Sequence, residues 1–279
     1  MRAIDRTLGS FAVLLALSVT PLAAKGPDPE KDRFNLSFGT YLMSFDTTAQ
    51  LSPEGGVGTA IDMEGVLGLD DRRTDVRLDG YWRFSPRHRL DFGLFYDGRK
   101  GTRTLDREII WNDVTYDVGA TIDSKFTTEY LKLAYRFAMV RDDRAEVGVS
   151  GGLATIRLAA ELAGDGVVTE NGVPSPVQFV REKTDVLAPV PVVGLYGSFV
   201  IREGVFFRGS LEFLSYSASG VSGAIADSRL AVDWYFTERW GVGLGLSRVR
   251  IKYEDEDGDP QVDLKSSFGG SLLYVTYSF

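Results

Sequence analysis

A strict alternation of apolar and polar side chains constrains the fold of this chain more than any other feature. Because successive side chains of a β-strand point to opposite faces, a period of two predicts strands with one apolar face and one polar face. The pattern predicts an all-β fold of about ten strands, with eight or twelve as alternatives. The alternation begins at Arg33 and lies near 34–42, 76–84, 90–97, 130–137, 146–153, 186–201, 207–213, 229–236, 240–246 and 273–279.

The connections between the predicted strands alternate between short and long. Short turns on one side and long loops on the other are typical of outer-membrane β-barrels, as are aromatic residues grouped at a membrane interface. We therefore predict a closed antiparallel up-and-down transmembrane β-barrel over residues 33–279, rather than a soluble β-sandwich. The short connections are 85–87, 140–144, 202–204 and 237–239, and the long ones are 46–72, 98–120, 160–184, 216–224 and 254–264. The aromatic residues beside the short turns are Trp82, Phe84, Phe137, Phe199, Phe207, Trp234, Phe236, Trp240, Tyr277 and Phe279.

Two of the long connections carry further expectations. The segment 59–64 fits an outer hairpin arm that pairs with 44–51, and a membrane crossing there would raise the strand count to twelve. The segment 164–184 contains several Gly, Asn and Pro residues, so we expect an exposed, mobile loop.

The first 24 residues have the pattern of a cleavable secretory signal. A short basic start precedes the apolar run 11–19, and small residues follow up to Ala24. The apolar run is too short for a membrane-spanning helix, and no later stretch approaches the required length. We predict a signal peptide over 1–24, cut at Ala24 or one residue away, a periplasmic linker over 25–32, and localisation in the outer membrane.

Charge and cysteine content exclude several classes of function. The net charge of the chain is −8, which argues against binding nucleic acid through a broad basic surface. The chain has no Cys, so disulfide bonds and thiolate chemistry are excluded. The sequence predicts no cofactor.

Several sequence blocks are similar to a known family. They are IDMEGVLGLDD at 61–71, RFSPRHRL at 83–90, GATIDSKF at 119–126 and YLKLAY at 130–135, together with the C-terminal Phe279. These blocks resemble a family of small, OmpA-like or porin-like outer-membrane β-barrel proteins of proteobacteria, over most of the predicted mature chain. The resemblance implies a fold and a location, and it carries no reaction. The last strand also resembles the C-terminal signal that the barrel-assembly machinery reads, so we expect that machinery as a partner.

The polar faces of the predicted strands carry a balanced set of charges. A ten-stranded barrel is narrow, and charges removed from water need partners. We therefore expect a lumen plugged by ion pairs, with an open charged conduit as the alternative. By parity, the lumen-facing charged residues are Arg77, Asp79, Arg83, Asp91, Asp97, Lys132, Arg136, Glu146, Arg208, Glu212, Arg229 and Asp233.

The sequence gives little support for catalysis or for a metal site. Its single His, His88, lies in a predicted short turn and has no nucleophile placed beside it. A carboxylate pair formed by Asp79 and Asp91 is possible, but an ion-paired lumen explains these residues more simply. The acidic run EDEDGD at 254–259 lacks the downstream Glu of an EF-hand loop and includes a hairpin-turn signal.

Basic residues interrupt the apolar alternation just before that acidic run. Arg248, Arg250 and Lys252 fit a strand that extends beyond the membrane, where they would meet the phosphates of lipopolysaccharide. A β-bulge that changes their facing is the alternative. We therefore expect outer-membrane lipid and lipopolysaccharide as partners, and the sequence names no other ligand. The leading function is a structural or outer-loop binding barrel, then a narrow channel for small solutes, and third a barrel-borne hydrolase.

Overall fold

The computed structural model describes residues 32–53, 56–170, 173–218, 220–258 and 260–279. The predicted signal peptide, 1–24, lies outside the described residues, as does the predicted linker up to residue 31. Within these ranges, no helix has the length and apolar character needed to cross a membrane.

The described residues form an all-β fold. Two kinds of strand are present: long strands that build a wall, and short strands of two or three residues. In chain order they are β1 (Phe34–Ser52), β2 (Ile61–Asp62), β3 (Arg72–Ser85), β4 (His88–Thr104), β5 (Ile109–Trp111), β6 (Val114–Tyr116), β7 (Thr121–Arg141), β8 (Ala145–Glu170), β9 (Val173–Arg202), β10 (Val205–Ala218), β11 (Val221–Tyr235), β12 (Trp240–Asp255) and β13 (Gln261–Ser278).

The ten long strands close into a ring. Each pairs antiparallel with its neighbours in the order β1-β3-β4-β7-β8-β9-β10-β11-β12-β13, and β13 pairs with β1 again. At the seam, the backbone N–H of Phe34 donates to the carbonyl of Phe279 at 2.8 Å. The prediction of a closed ten-stranded antiparallel barrel is confirmed.

The three short strands lie outside the ring order. β2 pairs with β1 through Thr48 and Ala49, so the prediction that 59–64 forms an arm beside 44–51 is correct, and this segment adds no crossing. β5 and β6 form a small hairpin that joins the edge of β8. The barrel therefore stays at ten crossing strands.

The prediction that 164–184 is a mobile loop is wrong for its backbone. β8 and β9 remain paired with each other as far as Glu170 and Val173, with one register shift between Gly164 and Gly166. Inter-strand hydrogen bonds do not need a lipid environment, so a hairpin continues wherever its two strands keep register. The same reason explains why β1 extends to Ser52, well inside the predicted connection 46–72.

The two ends of the barrel differ. The tight-turn end carries the connections 86–87, 142–144, 203–204 and 236–239, together with the start of β1 and the end of β13. The hairpin end carries the three short strands and the two longest connections, from β1 to β3 and from β4 to β7, but only two residues separate β8 from β9 and β10 from β11.

Outward-facing apolar side chains form one exposed belt between the tight-turn end and the middle of the wall. Aromatic side chains line its tight-turn edge. The ring centroids of Trp240 and Tyr277 are 4.7 Å apart there, and those of Phe34 and Phe279 are 5.1 Å apart. On the other side of the belt, the outward face carries charged residues such as Arg157 and Arg248. Exposed members of the belt include Phe38, Leu42, Val76, Trp82, Leu94, Tyr96, Leu131, Leu133, Leu153, Val193, Leu195, Leu211, Phe213, Leu230, Leu244, Leu246, Leu273 and Val275.

The interior has two layers. Charged side chains fill the half toward the tight-turn end, and a buried hydrophobic cluster fills the half toward the hairpin end. We call these the charged layer and the apolar layer. The most deeply buried members of the apolar layer are Tyr41, Ile61, Met63, Leu67, Ile109, Trp111, Val114, Tyr116, Ile122, Ile156, Leu162, Val249 and Phe268.

Several glycines of the wall occupy positions where a side chain has no room, and Gly270 is among the tightest. A Cβ atom built on Gly270 of β13 would lie 1.7 Å from the carbonyl oxygen of Leu42 on β1. A Cβ atom built on Gly151 of β8 would have nothing within 4 Å. The two positions form a matched pair within one sheet.

We predict that Gly270→Ala destabilises the refolded barrel by about 1–3 kcal/mol, because the added methyl group must displace backbone across the β1–β13 seam. Gly151→Ala should change stability by no more than about 0.5 kcal/mol. Urea unfolding of both variants in the same detergent measures the difference. Equal midpoints for the two variants would contradict the close packing at the seam.

Candidate functional site

The charged residues predicted for the lumen all project into the barrel. Each lies at an inward-facing strand position, where it is buried or half-buried while its chain neighbours face outward. All of them take part in ion pairs with other inward-facing side chains. The charged layer consists of Arg77, Asp79, Arg83, Arg89, Asp91, Lys132, Arg136, Glu146, Arg208, Glu212, Asp227, Arg229 and Asp233.

Lys132 is at the centre of the charged layer. Its ammonium nitrogen lies 2.7 Å from Oε2 of Glu212 and 2.9 Å from Oδ2 of Asp227. Tyr130 donates a second hydrogen bond to Asp227 at 2.8 Å. The three charged side chains are at most 9% exposed, so nearly all of their hydration has been replaced by these contacts.

The network continues from Glu212 toward the tight-turn end with alternating sign. Arg136 contacts Glu212 at 3.2 Å and Asp91 at 3.1 Å. Arg89 then contacts both Asp91, at 2.9 Å, and Glu146, at 3.2 Å. Arg83 also contacts Glu146, at 2.7 Å. Every carboxylate in this path has at least two cationic partners, which lowers the cost of keeping its charge away from water.

Two smaller groups complete the charged layer. Asp79 lies between Arg77 at 2.9 Å and Arg229 at 2.7 Å. Asp233 pairs with Arg208 at 2.9 Å and accepts a hydrogen bond from Tyr274 at 2.5 Å.

These contacts cross the lumen rather than follow its wall. In the ring of ten strands, β7 is three places from β10 and four from β11, and these are the strands that Lys132 joins. β3 is likewise four places from β11, and the pair Asp79–Arg229 joins them. Because five places is the widest separation in such a ring, these pairs bridge nearly opposite walls.

The space left in the charged layer is small. One cavity of about 100 Å³ lies among Arg77, Lys132 and Tyr274, and another of about 40 Å³ lies near Arg83 and Arg141. Such volumes hold a few water molecules.

Sequence reasoning missed two members of the charged layer. Arg89 has the same parity as Asp91, but it precedes the alternation at 90–97, whereas β4 begins at His88. Asp227 has the same parity as Arg229, but β11 starts at Val221, earlier than the alternation of apolar residues indicated. Extending each predicted strand by one residue pair would have found both.

The apolar layer is anchored by a buried arginine that the sequence did not indicate. Arg99 of β4 is 0% exposed, and its guanidinium carbon lies 4.1 Å from the ring centroid of Phe45 and 5.1 Å from that of Phe126. It forms an ion pair with Glu64, which also accepts the backbone N–H of Thr47 at 2.8 Å. The segment around β2 is thereby held inside the barrel mouth.

Asp97 is the predicted lumen residue that lies apart from the charged layer. It is on β4 just beyond Tyr96, where the apolar belt ends, and its nearest cations are Arg99 at 3.4 Å and Arg73 at 3.8 Å. Burial, together with the neighbouring carboxyl of Asp75, raises the pKa of Asp97 above its ordinary value. Asp97 is 0% exposed, which leaves no room for a substrate to reach it.

The carboxylate pair considered from the sequence is not an isolated pair in the structure. Asp79 is held by Arg77 and Arg229, and Asp91 is held by Arg89 and Arg136. Both carboxylates are therefore already occupied by two cations each.

His88 lies at the start of β4, at the tight-turn end. Its Nδ1 atom is 2.5 Å from the Tyr135 hydroxyl, and its ring packs between those of Phe84 and Phe137. It therefore belongs to the aromatic edge of the belt, and the charged layer lies on the other side of the wall.

The acidic run 254–259 does not gather into a metal site in the part that the structure describes. Glu254 instead contacts Lys252 at 2.5 Å and accepts a hydrogen bond from Ser222 at 3.0 Å. No group of three or more Asp, Glu or His side chains with metal-binding geometry occurs among the described residues.

Solved outer-membrane proteins have similar folds. The outer membrane protease OmpT from Escherichia coli is 12% identical to this chain with a TM-score of 0.56, and the match covers 90% of this chain and 97% of OmpT. OprG from Pseudomonas aeruginosa is 11% identical, with a TM-score of 0.37 and coverage of 92% and 98%. The toluene transporter TodX from Pseudomonas putida is 7% identical, with a TM-score of 0.38 and coverage of 89% and 90%.

No protein-family model and no curated protein matches the chain. The match to OmpT identifies the fold and not an activity, because one fold carries many functions. The chain is thus a closed antiparallel barrel with the fold of outer-membrane proteins.

We predict that Lys132→Met destabilises the barrel by about 3–5 kcal/mol, because it leaves Glu212 and Asp227 buried without their shared cation. The matched control is Lys265→Met on the outer wall, where Lys265 is 56% exposed and pairs with Asp263 at 3.1 Å. That change should cost at most about 1 kcal/mol. Denaturant unfolding in detergent compares the two, and a similar loss in both would contradict the role of Lys132 in the charged layer.

Proposed function

We propose that this protein is an integral outer-membrane barrel that does not conduct solutes and acts through its wall and its outer extension. The single observation that carries the proposal is the filling of the lumen by two successive layers. Ion pairs such as Asp79–Arg229 bridge opposite walls in one layer, and fully buried side chains such as Trp111 and Tyr41 pack together in the next.

The location belongs to the proposal. The exposed apolar belt with its aromatic edge supports insertion in a bilayer, because lipid is the solvent that such a surface requires. Short turns of bacterial outer-membrane barrels face the periplasm, so the tight-turn end is assigned to the periplasm and the hairpin end to the outside. Export by the predicted signal peptide 1–24 and assembly through the strand that ends at Phe279 are parts of the same proposal.

A narrow channel is the main alternative. Its conduit would have to pass the charged layer, where the cavity is about 100 Å³, and then the apolar layer. Dense packing of buried hydrophobic side chains leaves no polar path for an ion. The geometry therefore favours the closed barrel.

A hydrolytic role has less support from the residues. OmpT is a protease, but the only His of this chain packs among aromatic rings at the proposed periplasmic edge. A hydrolytic site that used His88 as its base would lie at the proposed periplasmic end, away from the proposed outer face.

Single-channel recording in a planar bilayer tests the proposal. We expect the refolded protein to insert as a compact, heat-modifiable barrel and to give no discrete current steps. A second protein carries Ser in place of the four central charges Lys132, Arg136, Glu212 and Asp227. It should also give no current, because the apolar layer remains.

Reproducible current steps from the unchanged protein would overturn the proposal and make the charged layer a selectivity filter. Current from the four-fold variant alone would show that the ion pairs by themselves block ion flow through the lumen. That result would contradict the sealing role of the apolar layer. Matched insertion of the two proteins, measured by their heat-modifiable migration, is the control.

A further inference from the structure

Two neighbouring arginines on the outer wall have no acidic partner among the described residues. Arg248 and Arg250 lie on β12 and alternate with the buried residues Val249 and Ile251, so both point outward. β12 pairs with β11 and β13 through these positions without a register shift, which excludes the β-bulge considered from the sequence.

The arginines stand directly beyond the apolar belt. Leu244 and Leu246 precede them on the same face of β12 and are 63% and 61% exposed. The outward face of one strand therefore changes from aliphatic to cationic within two residues. A lipid whose headgroup is anionic meets the protein at this height in a membrane.

Their neighbours on the adjacent strands have small side chains. Gly269 and Ser228 flank Arg248, and Ser267 faces Arg250. Beside them the wall has a depression of about 530 Å³, which we call the wall depression. It is lined by Ser44, Asp46, Ser228, Ser267, Gly269 and Arg248, with Leu211, Leu230 and Leu246 at its rim toward the belt.

The charge of the two arginines is not neutralised by the protein. Across the described ranges, no Asp or Glu oxygen forms an ion pair with either guanidinium, and the guanidinium of Arg248 donates only to the hydroxyl of Ser267, at 3.3 Å. Asp46 is the carboxylate of the wall depression, and it lies on β1, two strands from β12.

Several other exposed cations of the outer wall have acidic partners. Lys252, next on the same face of β12, is 2.5 Å from Glu254. On the opposite wall, Arg157 is 2.5 Å from Asp185. The pair Arg248 and Arg250 therefore offers guanidinium groups that remain available for an external anion.

We propose that the wall depression binds lipopolysaccharide, with Arg248 and Arg250 contacting its phosphate groups and an acyl chain lying against Leu230 and Leu246. Guanidinium groups form charge-assisted, bidentate hydrogen bonds with phosphate. The small side chains of the depression leave room for a sugar headgroup, and the leucine rim matches the acyl chains beneath it. This inference rests on the outer-membrane location in the proposed function.

Lipopolysaccharide binding to the refolded protein in detergent tests the inference. The test protein is the double variant R248Q/R250Q, and the matched control is R157Q, which removes an exposed arginine from the opposite wall. We expect the double variant to lose roughly tenfold or more in affinity, since two charge-assisted contacts are removed. The R157Q protein should stay within about twofold of the unchanged protein.

The chemistry of the ligand is tested with two further probes. Dephosphorylated lipopolysaccharide should bind the unchanged protein as weakly as intact lipopolysaccharide binds R248Q/R250Q. Phosphatidylglycerol should not compete at equal concentration, because it lacks the sugar headgroup that fills the depression.

Three results would overturn the inference: unchanged affinity in the double variant, equal losses in the double variant and R157Q, or equal competition by phosphatidylglycerol. These outcomes leave the closed lumen intact, because the arginines lie on the outer wall. Failure of the unchanged protein to insert into lipid would instead overturn the proposed function.

Discussion

The requirement that every backbone hydrogen bond be made within the protein governs the rest of this structure. A sheet with an exposed apolar belt can meet that requirement in lipid only by closing on itself, and here β1 and β13 close the ring. Closure of ten strands fixes a narrow interior. Side chains at alternate positions must enter that interior, so any charge they carry must find its partner there. The ion pairs across the lumen are thus a consequence of closure combined with the inward polar pattern.

The two interior layers fill the narrow lumen with different kinds of side chain. In the charged layer, Lys132 and Asp79 each serve two partners of opposite charge, so that long side chains fill the space and neutralise one another. The apolar layer begins within the belt, at residues such as Tyr41, and continues beyond it. Its interior is filled as in a soluble protein, with Trp111 and Tyr116 of the small hairpin fully buried. Arg99 joins the hairpin-end segment to this core through Glu64. The outer surface of the wall consequently has two parts, one suited to lipid and one suited to water, and the same hydrogen-bonded strands run through both.

The period-two pattern predicted the fold well because it is read directly from side-chain facing. Parity placed Arg77, Lys132 and Glu212 in the interior, and the connections predicted to be short all lie at one end. The connections predicted to be long at 160–184 and 216–224 are wrong in length, because only two residues separate β8 from β9 and β10 from β11. Parity does not say which strands face each other across a ring, so the partner of Lys132 could not be predicted. The extent of β8 and β9 was also missed, because beyond the belt the pattern reverses. On β8, Ile156, Leu158 and Leu162 face the interior, while Arg157 and Glu161 face outward. The apolar layer was missed for a related reason. Tyr41 lies on the inward face of the predicted strand 34–42, and Met43 lies just beyond that strand, whereas both belong to an inward apolar face that continues along the longer strand β1.

The most direct test of a sealed lumen is thiol accessibility from the outer face, since the chain has no Cys of its own. Ser198→Cys places a thiol beside both small cavities of the charged layer, and Val118→Cys places one at the hairpin end, where Val118 is 64% exposed. A small, membrane-impermeant cationic thiol reagent is added to intact cells, and labelling is followed over time. The sealed barrel predicts rapid labelling at position 118 and none at position 198 until the protein is unfolded. Labelling at 198 from outside, at a rate near that at 118, would show an open path through both layers and contradict the account.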